Sequence, residues 1–226
     1  MVERKVLVIE DKAILREMIV DYFHSNDYQV IEAADGLQGI TLFDQSTVDL
    51  VILDIMMPKL DGWEVCRHIR QHSSVPIIML TARSDEEDAL HGYELGADDY
   101  VTKPFSPSVL VAKANTLLRR IQGTKHTKDR IELADIGINR STRIVTVDDQ
   151  EINLTHTEFE ILDYLMENQG HVMTRESLVI HIWGYDYEGD DRTISTHIRN
   201  LRSKLGIKAN HIVTVFGSGY KFEVQP

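Results

Sequence analysis

Five residues able to bind cations or phosphate stand where short strand-like runs end. Glu10 and Asp11 follow the run 6–9, Asp54 follows 50–53, Thr81 follows 77–80, and Lys103 follows 99–102. An aspartate behind four consecutive apolar residues loses its hydration on folding, which is costly unless a partner compensates. If the runs are neighbouring strands, Glu10, Asp11 and Asp54 converge, and three close carboxylates repel unless a cation lies among them. Oxygen ligands with open positions suit Mg²⁺, which keeps waters and takes phosphate oxygens. The Lys103 ammonium and Thr81 hydroxyl would then hold the other oxygens of a phosphoryl group. The chemistry these groups allow is the binding of a phosphoryl group beside a divalent cation.

A second group of residues points elsewhere. The stretch 192–208 carries Arg192, Arg199, Arg202, Lys204 and Lys208 with no acid. At about 100° per residue, Ile194, Ile198, Leu201 and Leu205 form one stripe facing a core. Opposite them fall Arg192, Thr196, Arg199, Asn200 and Ser203, flanked by His197, Arg202 and Lys204. Hydroxyl, amide and guanidinium groups on one helical face are what reading base edges in the DNA major groove requires. A solvated basic face is the plainer alternative.

The elements that must position these groups follow from periodicity. Runs at 5–10, 29–34, 49–55, 75–82 and 99–102 alternate with amphipathic segments, the first at 13–24 with Ile14, Leu15, Met18, Ile19 and Phe23 on its stripe. Three runs are continuously apolar, as central parallel strands buried on both faces are. Five such units predict an α/β doubly wound parallel five-stranded sheet over residues 4–121, with ligands beyond the carboxyl ends of its strands. The polar segment 122–129 reads as a linker. Over 130–226 the pattern changes to short strands at 131–138, 143–147 and 151–154, helices at 157–168, 174–183 and 193–205, and a hairpin around Gly217-Ser218-Gly219. That order predicts an α+β winged helix-turn-helix.

The motifs then carry a resemblance. Glu10-Asp11, the segment 53–62 around Asp54, Leu80-Thr81-Ala82-Arg83, and the segment 96–105 ending in Lys103-Pro104-Phe105 resemble the receiver domain of two-component response regulators (flavodoxin-like). Leu154-Thr155, Trp183-Gly184, the 192–206 helix and Gly217-Ser218-Gly219-Tyr220-Lys221-Phe222 resemble the output domain of the OmpR/PhoB subfamily. The resemblance implies that Asp54 is the phosphoacceptor and that Glu10, Asp11, Asp54 and the Met56 backbone carbonyl bind Mg²⁺. It implies that Thr81 and the Ala82 amide contact the phosphoryl group and that Lys103 pairs with it. Tyr100 would turn inward when Thr81 moves, and Lys103-Pro104 would be cis. It also implies a sensor histidine kinase, promoter double-stranded DNA and RNA polymerase as partners. Phosphorylation would favour a homodimer through the fourth predicted helix, the fifth strand and the helix after it, with Ala89, Asp98, Asp99, Val109 and Lys113 on that face. The helix from Thr193 would read DNA, with the hairpin near Phe216 as the wing. Two positions depart from the subfamily: Phe216 stands where arginine is frequent, and Ser195 where aspartate is frequent.

Composition bounds the reading. With 36 Asp+Glu against 24 Lys+Arg and a net charge of −12, overall charge will not bind nucleic acid or membrane, so a local basic element must. The acidic 130–226 segment leaves a protein-binding module as an alternative. One cysteine, Cys66, excludes an internal disulfide, and no apolar run is long enough to span a bilayer, so a cytoplasmic protein with no membrane partner is expected. An aspartyl phosphatase usually places a second aspartate two residues on as general acid. That position is Met56, so an enzyme is not expected. A regulator working without phosphorylation is the other rival, against which the intact acidic set argues. His68 and His72 have metal-binding i,i+4 spacing but no third ligand in sequence.

Overall fold

Apolar residues on both faces of β1 explain the first unit. In β1 (Arg4–Ile9), Val6 and Val8 point into one core while Leu7 and Ile9 point into another. A period of two with apolar residues on both faces demands cover on both sides. In the computed structural model, which describes residues 4–82, 92–121, 129–184, 187 and 192–224, that cover is helical. β2 (Tyr28–Ala33), β3 (Leu50–Asp54), β4 (Ile77–Ala82) and β5 (Asp99–Lys103) complete a parallel sheet in the order β2-β1-β3-β4-β5. Helices α1 (Ala13–His24) and α4 (Pro107–Ile121) supply Ile19, Phe23, Leu110 and Ala114 to one core. Helices α2 (Gly36–Gln45) and α3 (Gly62–His72) supply Ile40, Phe43, Val65, Cys66 and Ile69 to the other. Asp35 and Asp61 cap these two helices by accepting from the backbone N–H groups of Gln38 and Glu64.

One detail differs from the sequence reading. The α1 stripe is narrower than expected: Ile19 and Phe23 are buried, but Ile14 and Met18 are exposed, with Tyr22 one turn further on. Cys66 is fully buried, and burial pushes its thiol up to about 11. The fourth predicted helix, with Arg83 and Ala89, lies outside the described residues.

The chain divides at residues 121 and 122, and the second unit has its own core. β6 (Arg130–Leu133), β7 (Ile136–Asn139), β8 (Ile144–Val147) and β9 (Gln150–Ile152) form an antiparallel meander. The expected single strand over 131–138 is two strands. Ala134 and Asp135 both take positive φ, 52° and 60°, which makes the tight hairpin turn whose twist matches antiparallel strands. Asp148 and Asp149 do the same between β8 and β9. Helix α5 (His156–Glu167) opens with a capping box between Thr155 and Glu158, and Thr174 caps α6 (Arg175–Trp183). Helix α7 (Arg192–Leu205) follows, then a 3-10 turn (Gly206–His211). β10 (Met173–Thr174), β11 (Ile212–Val215) and β12 (Gly219–Phe222) form the last sheet, with β12 central. Arg140, nearly buried, donates from Nε to Asp163 at 2.7 Å and so ties the meander to α5.

Candidate functional site

The register of the parallel sheet brings the reactive groups to one edge. Asp54 is level with Leu80, Thr81 with Thr102, and Ala82 with Lys103, so all lie at the carboxyl ends of their strands. Glu10 and Asp11 follow β1, the immediate neighbour of β3. Carboxylate oxygens of Glu10, Asp11 and Asp54 lie within 4.8 Å of one another. Lys103 Nζ donates to Glu10 Oε2 at 2.7 Å and pairs with Asp54 Oδ1 at 2.8 Å. Glu10 and Asp54 are 0% and 2% exposed, so this one ammonium serves two buried anions. The Met56 N–H donates to Asp54 Oδ1 at 3.4 Å, while the Met56 side chain points to solvent. Burial raises the pKa of Glu10 above the ordinary 4.5, with the Asp54 charge adding to it and Lys103 opposing. Asp11 Oδ1 is buried with no hydrogen-bond partner among the described residues. A buried acceptor aimed into an all-oxygen site is the signature of a hard divalent cation, so the residues present fit Mg²⁺.

The remaining pocket residues are beside it. Thr81 is buried and its hydroxyl donates to the Ala82 carbonyl at 3.2 Å. Tyr100 is half-buried, its hydroxyl donating to Met79 Sδ at 3.2 Å and its ring meeting Tyr93 edge-on at 4.6 Å. Gly92 lies against Tyr100 and Trp63, where any β-carbon would collide with both rings. The Lys103-Pro104 peptide is cis.

Of the expected dimer-face residues, Asp98 is misplaced. It is fully buried and accepts from Arg70 Nη2 at 2.9 Å and the Ile77 N–H at 3.0 Å. Arg70 reaches across from α3, a long-range partner that no local pattern announces. Asp99 and Lys113 bond each other within the chain at 2.9 Å, and Val109 is exposed. His68 Nε2 donates to Asp44 Oδ1 at 3.0 Å, and no cluster that includes it and His72 meets metal-ligand geometry among the described residues.

On α7 the expected face divides. Arg192, Arg199 and Ser203 are exposed and Asn200 is half-buried. Thr196 and His197 are corrections, at 8% and 0% exposure. The buried face is wider than the four-residue aliphatic stripe, because Trp183 packs 5.8 Å from the His197 ring and draws that side of the helix inward. Arg202 is half-buried and donates from Nη2 to the Ile212 carbonyl at 2.6 Å and to Thr214 Oγ1 at 2.8 Å. Lys204 donates to the buried Glu158 at 2.6 Å. Both were expected on the flanks of the DNA-reading face, and both are bonded within the unit. Ser195 Oγ meets Tyr220 Oη at 3.0 Å, a second tie between α7 and the terminal hairpin. Phe216 is 93% exposed.

Comparisons with known proteins agree with this division. Residues 6–115 match the response regulator receiver domain, and residues 149–222 match the C-terminal domain of transcriptional regulatory proteins. Transcriptional regulatory protein YclJ of Bacillus subtilis is 44% identical over 97% of this chain and 99% of its own length. ResD of the same organism is 40% identical over 98% of this chain and 97% of its own. SrrA of Staphylococcus aureus is 38% identical over 98% and 96%. Among solved structures, response regulator DrrB, a Thermotoga maritima OmpR/PhoB homolog, is 32% identical with a TM-score of 0.52, covering 98% of this chain and 99% of that one. A RitR mutant has a TM-score of 0.78 at 24% identity over 98% of this chain and 100% of that one, a likeness of fold alone.

Proposed function

This chain belongs to the two-component response regulators of the OmpR/PhoB type, phosphorylation-dependent transcriptional regulators, and on that premise we propose that Asp54 accepts the phosphoryl group and that α7 reads promoter DNA. The observation that carries the first part is the Lys103 ammonium shared between two buried carboxylates at the strand ends. Lys103 and the Met56 N–H hold Asp54 Oδ1, which leaves Oδ2 to attack phosphorus. The bond from phosphorus to the kinase histidine nitrogen breaks as the aspartyl oxygen–phosphorus bond forms. Lys103 then turns part of its charge to the new phosphoryl oxygens, and the Thr81 hydroxyl leaves the Ala82 carbonyl to donate to them, beside the Ala82 amide. Glu10, Asp11, Asp54 and the Met56 carbonyl would hold Mg²⁺, which when bound supplies positive charge to the transferring group. Tyr100 packs inward under Thr81 and carries the change toward β5 and α4.

The receiver unit spans 4–121, the linker 122–129 and the DNA-binding unit 130–226. We place the sensor kinase on the exposed apolar row Ile14, Met18 and Tyr22, which begins beside the acidic pocket. The phosphorylated form is a homodimer whose face includes Val109, with Ala89 lying outside the described residues. The regulator acts in the cytoplasm, contacts RNA polymerase at the promoter, and is not an enzyme. Among the described residues no helix is long and apolar enough to cross a membrane.

Acetyl phosphate with Mg²⁺ tests the assignment. Intact-mass spectra are expected to show one added phosphoryl group on the wild-type chain and none on Asp54→Ala. Equal labelling of the two would refute it.

A further inference from the structure

The terminal hairpin ends in a large aromatic that nothing in the unit covers. Phe216 is 93% exposed at the turn between β11 and β12. Isolated exposed apolar residues are common on protein surfaces, so exposure alone assigns nothing. Its setting is what distinguishes this one. The turn is closed by the Ser218 N–H donating to the Val215 carbonyl at 2.9 Å, with Gly217 at φ 74°. At the hairpin base, Gly219 presses on the Met173 carbonyl so closely that no β-carbon fits. The hairpin is held to α7 by Arg202, bonded to the Ile212 carbonyl and Thr214, and by Ser195 against Tyr220. Phe216 is therefore carried at a fixed place beside the helix. The whole stretch 192–222, from the start of α7 through the hairpin, contains no Asp or Glu in a chain that has 36. A polyanion meets no acid belonging to this stretch, and the neighbouring carboxylates Glu158, Asp135, Asp148 and Glu223 are each paired with one of its lysines.

From this geometry we infer that Phe216 is an apolar wedge that inserts between base pairs in the minor groove flanking the α7 site and kinks the duplex. The inference rests on the reading of α7 as the recognition helix. With that helix in the major groove, a hairpin fixed to its side meets the neighbouring backbone and minor groove. An uncharged ring there cannot bond phosphates or base edges, but it can replace the stacking lost when a base step opens. Side chains used this way bend DNA toward the major groove by about 20–90°. Pyrimidine–purine steps unstack most easily, so the wedge selects such a step at a position the helix does not touch.

The full-length chain, treated with acetyl phosphate and Mg²⁺, is used to enrich a duplex from a random-sequence pool. That duplex is then made with 2-aminopurine at successive flanking positions and with a donor–acceptor dye pair at its ends. The wild-type chain is expected to raise 2-aminopurine fluorescence at one step and to bring the duplex ends closer. Phe216→Ala should bind the same duplex and lose both signals. Phe216→Leu should keep them, and Phe216→Arg should bind without the fluorescence rise. A wild-type complex with straight, fully stacked DNA overturns the wedge while leaving the reading of α7 intact, as does an unchanged bend with Phe216→Ala. Failure to enrich any duplex would remove the DNA reading itself, and the wedge with it.

Discussion

At the pocket of the first unit a single cation is brought to several acids, and around α7 in the second unit several cations are each claimed by acids or carbonyls. Lys103 reaches a pocket where Glu10 and Asp54 are already fixed by their strands, and its positive charge stays centred on the reaction site. In the second unit Arg202 is spent on the hairpin, Lys204 on Glu158, and Lys208 on Asp135 and Asp148. The pairs differ in purpose. Around Lys103 the excess of negative charge leaves room for a further cation, whereas the second unit's pairs neutralise themselves and fix one element to another. A basic residue in sequence therefore reports a binding surface only after its internal partners have been subtracted.

Four measurements can break or sharpen that contrast. The largest effect is expected from Arg140→Met. It leaves the nearly buried Asp163 carboxylate without its cation, and a loss of about 3–5 kcal/mol should appear in urea denaturation of the second unit's transition. A loss under about 1 kcal/mol would mean that the second unit's pairs are not structural.

Arg202→Ala should come next, lowering stability by about 1–3 kcal/mol because the Ile212 carbonyl and Thr214 lose their donor. The exposed Arg199→Ala should change stability by less than about 0.5 kcal/mol while reducing the salt slope of DNA binding by about one unit. Matched denaturation and salt-titrated binding curves separate the two arginines, and identical behaviour would erase the distinction between anchoring and reading.

Asn200→Ala is expected to relax preference at one base position, costing about 1–3 kcal/mol on the preferred sequence and little on others. Affinities across a set of single-base variants check this. A uniform loss would move the reading face elsewhere on α7.

The smallest effect concerns pH. Because burial raises Glu10 above 4.5, the folded chain favours its protonated form. Its contribution to stability is present below that ordinary value and is lost as pH rises through the raised one. Mg²⁺ needs the ionised form, so the melting-temperature gain from Mg²⁺ should begin to fade on acidification while the pH is still above 4.5. Glu10→Gln should weaken the gain and flatten its pH profile. A gain that holds steady to pH 4.5 would contradict the raised value.

Much of the fold was legible because the strongest signals are local. The apolar runs ending at Ile9, Leu53 and Leu80 could only be buried strands, and Asp54 directly behind one of them had to be a costly exception with a purpose. Capping by Thr155 was readable for the same reason, since Glu158 lies three residues on. What escaped depends on partners distant in sequence. Asp98 looked like a surface acid until Arg70 was brought to it from α3. Thr196 and His197 looked outward by angle alone, but the width of a buried face is set by what packs on it, here Trp183. The turn at Ala134-Asp135 lacks the glycine that usually marks two positive φ values, so one long strand was the natural reading. The pocket residues lie at motif positions, whereas the surface of α7 is defined by neighbours from β11, β12 and α5.

Cys66 has a practical consequence for all of these measurements. As the chain's one thiol, fully buried and with burial pushing it up to about 11, it should stay silent toward maleimides at neutral pH. The wild-type protein is thus a natural blank for site-specific labelling. A cysteine introduced at an exposed position such as Ser203→Cys or Val109→Cys would take a dye or spin label alone, with no need to remove the native one and disturb its core.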